Sequence, residues 1–153
     1  MESVRAITAL DDVEPIDVNH LTYRLAKAEH LLEQRLDHAL DEVGLTLRQF
    51  TVLAHVGRTP GLSRADVARL LLTTPQAVGG LVQRLVTAGL IQRAASSPGL
   101  PIGLTLTAAG EHALHRAAPL VRETEDTAVA AVAEDERQRV GAILDQLIAE
   151  LCR

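Results

Sequence analysis

The side chains best equipped for chemistry in this chain lie between Ser63 and Arg93. Thr73, Thr74, Gln76, Gln83 and Arg84 bring hydroxyl, amide and guanidinium groups together in one short stretch. A glutamine can pair with an adenine edge and an arginine with guanine O6 and N7. Hydroxyls and a helix N-terminus can hold a phosphate. Arg64 and Arg93 flank the stretch at positions better suited to a charged backbone than to bases. Other candidates are weaker. His112 and His115 stand three apart, as metal ligands can, but no Cys or acid cluster completes a set, so no metal and no cofactor is expected. Cys152 is the one cysteine, and only Arg153 lies near enough in sequence to lower its pKa, so an inert thiol is expected. There is no nucleophile elbow, phosphate loop or dinucleotide fingerprint, which argues against an enzyme.

Recognisable elements must position these groups. Ser63-Arg64-Ala65-Asp66 reads as a helix start, with a Ser cap and an acid three residues on. Val67, Leu70 and Leu71 follow as a short apolar-periodic run. Thr74 then caps and Pro75 takes the first position of a second helix, where its missing N–H costs nothing. With Val78, Leu81, Val82 and Leu85 inward, the outward face is Gln76, Ala77, Gly80, Gln83 and Arg84. Gly89 can end that helix in the left-handed conformation. Two short helices across a tight turn form a helix-turn-helix. Residues 90–94 and 102–106 read as strands around the turn cluster Ser96-Ser97-Pro98-Gly99-Leu100-Pro101. Helix-turn-helix followed by a hairpin is the winged-helix order.

The flanks are helical. Residues 1–16 read as a loose acidic arm. Residues 17–43 read as a long helix, with Leu21, Leu25, Ala28, Leu32, Leu36, Ala39 and Val43 in one stripe widened by Leu31 and Leu40, stopped by Gly44. At ~1.5 Å per residue it spans roughly 40 Å. Thr46-Leu47-Arg48-Gln49 is a second capping box, opening a helix through Phe50, Val52, Leu53 and Val56. Thr107 caps a further helix, with Ala113, Leu114, Ala117, Leu120 and Val121 inward and a possible kink at Pro119. Residues 128–133 either continue that helix or break it. Glu134-Asp135-Glu136 suits a first helical turn, after which Val140, Ile143, Leu144, Leu147, Ile148 and Leu151 share a face. One small lobe cannot cover these terminal faces, so a second copy is expected to interleave with them. The expected fold is mainly α with a small β-hairpin wing. It comprises a winged helix-turn-helix lobe over 44–110 and long dimerisation helices over 17–43 and 111–152, together one domain over 17–152.

The chain's 153 residues, 47% hydrophobic, suffice for one domain with its own core. Net charge is −5. Between Gly44 and Gly110, however, Arg48, Arg58, Arg64, Arg69, Arg84 and Arg93 face Asp66 alone, a net of +5 that leaves −10 for the remainder. A basic middle between acidic ends fits a DNA-facing lobe on an acidic body. No apolar run approaches a membrane span. Met1 to Arg5 lacks an export signal, and a single cysteine suits a reducing cytosol, so a cytoplasmic location is expected.

Four runs taken together resemble the MarR family of bacterial transcription regulators: Leu45-Thr46-Leu47-Arg48-Gln49-Phe50-Thr51-Val52-Leu53, Ser63-Arg64-Ala65-Asp66-Val67-Ala68, Val82-Gln83-Arg84-Leu85-Val86-Thr87-Ala88-Gly89-Leu90-Ile91-Gln92-Arg93 and Leu106-Thr107-Ala108-Ala109-Gly110. Their order and spacing match over about residues 17–152. The resemblance implies an obligate homodimer that binds a pseudo-palindromic operator on double-stranded DNA and usually represses nearby genes. It implies relief by a small anionic or phenolic effector, a metal or an oxidant. It also implies an effector pocket between the dimer helices and the winged lobe; in this chain His55 is our candidate for its wall, and Arg35 or Arg48 our candidate to hold a carboxylate there. Two features depart from the family pattern. Gly79-Gly80 stands where relatives often carry polar or basic readers, and the wing turn lacks the usual Asp-x-Arg. Both lead us to expect fewer phosphate contacts and a shallower salt dependence. The alternative is a winged-helix dimer with weakened DNA reading that acts as a ligand-binding or protein-interaction module.

Overall fold

The structure, a computed structural model, describes residues 20–94 and 102–153. The expected arm over 1–16 and the wing turn Ser96 to Pro101 lie outside the described residues. Among the described residues six α-helices and a hairpin follow in order: α1 (Leu21–Leu40), α2 (Leu47–Arg58), α3 (Arg64–Leu70), α4 (Pro75–Thr87), β1 (Ile91–Ala94), β2 (Gly103–Leu106), α5 (Ala108–Ala128) and α6 (Glu134–Leu151). Residues Leu32–Arg153 form one compact unit. The earlier part of α1, from Leu21 to Leu31, belongs to a separate unit, and its Leu21, Tyr23, Leu25 and Leu31 side chains are exposed.

The helices begin where local chemistry says they should. Thr46 and Ser63 each accept a hydrogen bond from the backbone two or three residues into the helix, and Gln49 and Asp66 reach back to the cap N–H, both at 2.9 Å. Thr74 and Thr107 accept from the N–H groups of Ala77 and Gly110. The first helix ends differently from its apolar stripe. It stops at Leu40, and a 3₁₀ turn over Asp41–Val43 leads to Gly44 at φ 71°. Leu40, one of the residues that widen the stripe, is fully buried and Leu36 nearly so, while Ala39 and Val43 are half-buried. Pro119 sits inside an unbroken α5, whose helix absorbs the one missing N–H. The Ala/Val stretch after Ala128 breaks the helix, as one of its two readings allowed, and α6 starts at Glu134.

The core of the second unit joins all elements except α6. Leu53 and Val56 of α2, Val67 of α3, Val82 and Leu85 of α4, Ile91 and Leu104 of the hairpin and Ala117 of α5 are essentially inaccessible. Among the described residues no polar or charged side chain is buried. The strands pair antiparallel with Ile91 opposite Leu106 and Ala94 opposite Gly103. Leu62 adds a short bridge to Leu104 on the other edge, fixed by Gly61 N–H to Leu104 O at 2.8 Å and Leu104 N–H to Leu62 O at 2.9 Å. A Cβ at Gly103 would lie 2.9 Å from Gly61 Cα, so only glycine lets these backbones meet. α6 buries no residue, and Val140, Ile143, Ile148 and Leu151 are exposed. Among the described residues no helix is long and apolar enough to cross a membrane.

Candidate nucleic-acid interface

Helix α4 carries the site, and packing decides which of its faces is free. Val78, Leu81, Val82 and Leu85 are buried against α2, α3 and β1, which leaves Gln76, Ala77, Gly80, Gln83 and Arg84 exposed on the opposite side. Thr73 and Thr74 lie exposed at the start of the same helix. The stretch singled out for its chemistry is therefore one continuous surface. Its N-terminal end offers little spare capacity for an anion. Pro75 has no N–H and Ala77 N–H is taken by Thr74 Oγ1 at 3.2 Å, while Val78 N–H bonds Thr74 O. Gln76 N–H has no hydrogen-bond partner among the described residues.

The neighbouring arginines divide into paired and unpaired. Arg69 donates to Asp66 Oδ1 at 2.7 Å, and Arg48 lies 3.8 Å from Glu33. Arg64 and Arg84 have no carboxylate partner among the described residues, and the Arg64 guanidinium lies over Gly79, 3.6 Å from where a Cβ would be. Arg64, Arg69 and Arg93 line one cleft with Ser63, Asp66, Ile102 and Leu104, so its cations outnumber its single acid. Asp66 is held below the ordinary carboxylate value of 3.8. The bonds from the Ser63 hydroxyl and N–H do most of this, and Arg69 adds to it.

Arg93 has a partner that the sequence does not announce. It reaches across from β1 and donates through Nη2 to Gln83 Oε1 at 2.9 Å, and Gln83 Nε2 approaches Thr87 Oγ1 at 3.4 Å. Sequence reasoning treated the two as independent, one on phosphate and one on a base. Residues ten apart on different elements carry no local signal of such a bond. Asp37 was missed for the same reason. Its Oδ1 accepts from Leu47 N–H at 2.6 Å, so α1 helps to cap α2.

The effector candidates do not form one set. Arg48 lines a cleft of about 310 Å³ with Glu33, Asp37, Thr46, Ala77, Leu81 and Arg84. Arg35 lines a different cleft of about 560 Å³ with His38, Glu42, Leu120 and Glu123. His55 is half-buried on α2 and lines neither. The structure thus pairs Arg48 with Arg84 of the exposed α4 face rather than with Arg35. His112 and His115 are exposed, and among the described residues no cluster of His, Cys, Asp or Glu could hold a metal.

Comparison with known proteins agrees with this geometry. Residues 43–99 match the model of the MarR family. The HTH-type transcriptional repressor Rv2887 of Mycobacterium tuberculosis is 34% identical over 128 residues, which cover 83% of this chain and 92% of the relative. The crystal structure of that Mycobacterium tuberculosis protein in complex with DNA is similar at TM-score 0.69 and 31% identity, over 84% of this chain and 97% of that one. Its complex with salicylic acid is similar at TM-score 0.68 and 33% identity, over 89% of this chain and 98% of that one.

Proposed function

The chain belongs to the MarR family, and from that premise we propose that it is a homodimeric transcriptional repressor that binds a pseudo-palindromic operator through its winged helix-turn-helix and lets go when a small effector binds. The observation that carries the reading is the free face of α4, with Gln76, Gln83 and Arg84 exposed beside the unpaired Arg64. A rigid helix presenting amides and a guanidinium fits the major groove, and exposed cations beside it supply the phosphate attraction. The unburied apolar side chains of α6 give the second copy a surface to cover. Two copies would set their α4 helices about one duplex turn apart, roughly 34 Å. This is a binding role with no reaction assigned, carried out in the cytoplasm, where bacterial DNA lies.

The relative solved with salicylic acid points to an aromatic carboxylate as effector class. In the cleft shared by Arg48 and Arg84 such an anion would take the place of Glu33 on Arg48 and add the unpaired Arg84, with Asp37 held by the Leu47 N–H. A carboxylate there would draw Arg84 away from DNA, which links effector to release through one side chain. A mobility-shift assay on the duplex upstream of the chain's own gene tests the proposal. The expected outcome is a specific shift at low salt that salicylate reverses. The absence of any specific shift would overturn it in favour of the ligand-binding or protein-interaction dimer. Arg48→Ala should leave the shift and abolish its reversal by salicylate; full reversal in that variant would remove Arg48 from the effector site.

A further inference from the structure

The bond between Arg93 and Gln83 fixes more than two side chains. A guanidinium carries donors only, so the atom of Gln83 that faces it must be the amide oxygen. With Oε1 accepting from Arg93 Nη2 at 2.9 Å, the amide plane is set and Nε2 lies toward Thr87 Oγ1 at 3.4 Å. One amide hydrogen stays uncommitted on the exposed face of α4. Gly80, one turn earlier on that face, has nothing within 4 Å of where its Cβ would be, so an approaching base edge meets bare backbone beside Gln83.

A glutamine reads adenine by using both ends of its amide, accepting from N6 and donating to N7. The Arg93 guanidinium takes one of the two lone pairs of Gln83 Oε1 and puts positive charge at that end of the amide. Set against adenine, the N6 amine would bring its partly positive hydrogens to an oxygen already bound by a cation, which weakens the two-ended pairing. Guanine presents N7 and O6 side by side, both acceptors, and suits a donor-only reader. We propose that Arg93 is a positioning residue that holds Gln83 as a donor, so that Gln83 reads guanine rather than adenine in the major groove. The inference rests on the DNA-binding reading given above.

The test is selection from a randomised duplex library by the full chain and three variants, with the enriched sequences counted. The wild-type chain should enrich a two-fold symmetric motif. The position whose preference Gln83→Ala erases should be a G·C pair, favoured roughly fivefold over A·T, the worth of one neutral hydrogen bond. Arg93→Ala should lower affinity for all sequences and shift that one position toward A·T, because the freed Oε1 restores the two-ended pairing. Arg93→Lys keeps a donor against Oε1 and should keep the G·C preference, which separates positioning from mere loss of charge. An A·T pair at that position in the wild-type motif, an unchanged ratio in Arg93→Ala, or no position erased by Gln83→Ala would each overturn the inference while leaving a DNA-reading protein. Failure of the wild-type chain to enrich any motif would overturn the DNA reading and this inference together.

Discussion

Single residues in this chain show how space and sequence interact. Gly110 opens α5 against the backbone of Leu90, and a Cβ there would lie 2.0 Å from the Leu90 carbonyl oxygen. Backbone cannot yield as a side-chain tip can, so Gly110→Ala should destabilise the fold by about 3 kcal/mol or more, read from urea denaturation. Gly80 is the opposite case. It sits mid-helix in open space, so Gly80→Ala should stabilise by about 1 kcal/mol through helix propensity. A rise in Tm with weaker operator binding would fit a helix backbone that DNA approaches closely. A rise in Tm with unchanged binding would mean that the exposed face tolerates a methyl there. Arg84→Ala should weaken operator binding about tenfold or more without unfolding the lobe, because Arg84 is exposed and unpaired among the described residues. A variant that binds as well as wild type in the mobility shift would remove Arg84 from the reading face.

At the scale of elements, the helix starts carry a pH signature. Asp66 accepts from the Ser63 N–H and hydroxyl, and its carboxyl titrates below 3.8. Because the folded value is depressed, its contribution to stability is complete above the unfolded value and fades as pH falls through the folded one. Asp66→Asn should therefore cost stability at pH 5 to 7, and the gap to wild type should close below 3.8 in acid denaturation. An equal gap at every pH would contradict the assignment. This capping box was legible from four consecutive residues, as were the caps at Thr46, Thr74 and Thr107 and the free face of α4. Each depends on spacing within one or two turns, which sequence states directly. The 3₁₀ turn after Leu40, the Asp37 bond to Leu47 and the link between Arg93 and Gln83 were not legible. They join elements whose approach is set by the packed core, and no local pattern encodes it. Within one subunit Arg35 and Arg48 line different clefts and His55 lines neither, a division that no local pattern announces because clefts form where helices cross.

For the whole molecule, the balance of paired and unpaired cations sets how salt acts. Among the described residues Arg48 and Arg69 face carboxylates and Arg84 is assigned to the bases, which leaves Arg58, Arg64 and Arg93 in each lobe, because the bond to the neutral Gln83 leaves the charge of Arg93 intact. A dimer with three such cations per lobe should neutralise about six phosphates. That gives a slope of log K against log salt of roughly −5, and a measured slope steeper than about −8 would contradict the picture. The unburied face of α6 gives a second expectation at this scale. Ile148, 51% exposed, stabilises nothing within the subunit that a charge would damage greatly. Ile148→Glu should leave the helical circular dichroism intact, shift sedimentation to a single subunit and abolish operator binding. A dimer that survives this change would place the association surface elsewhere.

The contact around Leu90 has a mechanical consequence. Leu90 N–H bonds Leu85 O, the last buried turn of α4, while Leu90 O receives Thr107 N–H at 3.1 Å and Gly89 O receives the Thr107 hydroxyl at 2.5 Å. With Gly110 seated on the same backbone, the tail of one helix and the head of the next are welded through main-chain atoms. Neither can pivot alone. A movement of α5, whose 21 residues give it a length of roughly 31 Å, therefore carries α4 with it. A ligand that rotated α5 would re-aim the exposed face of α4 through this joint.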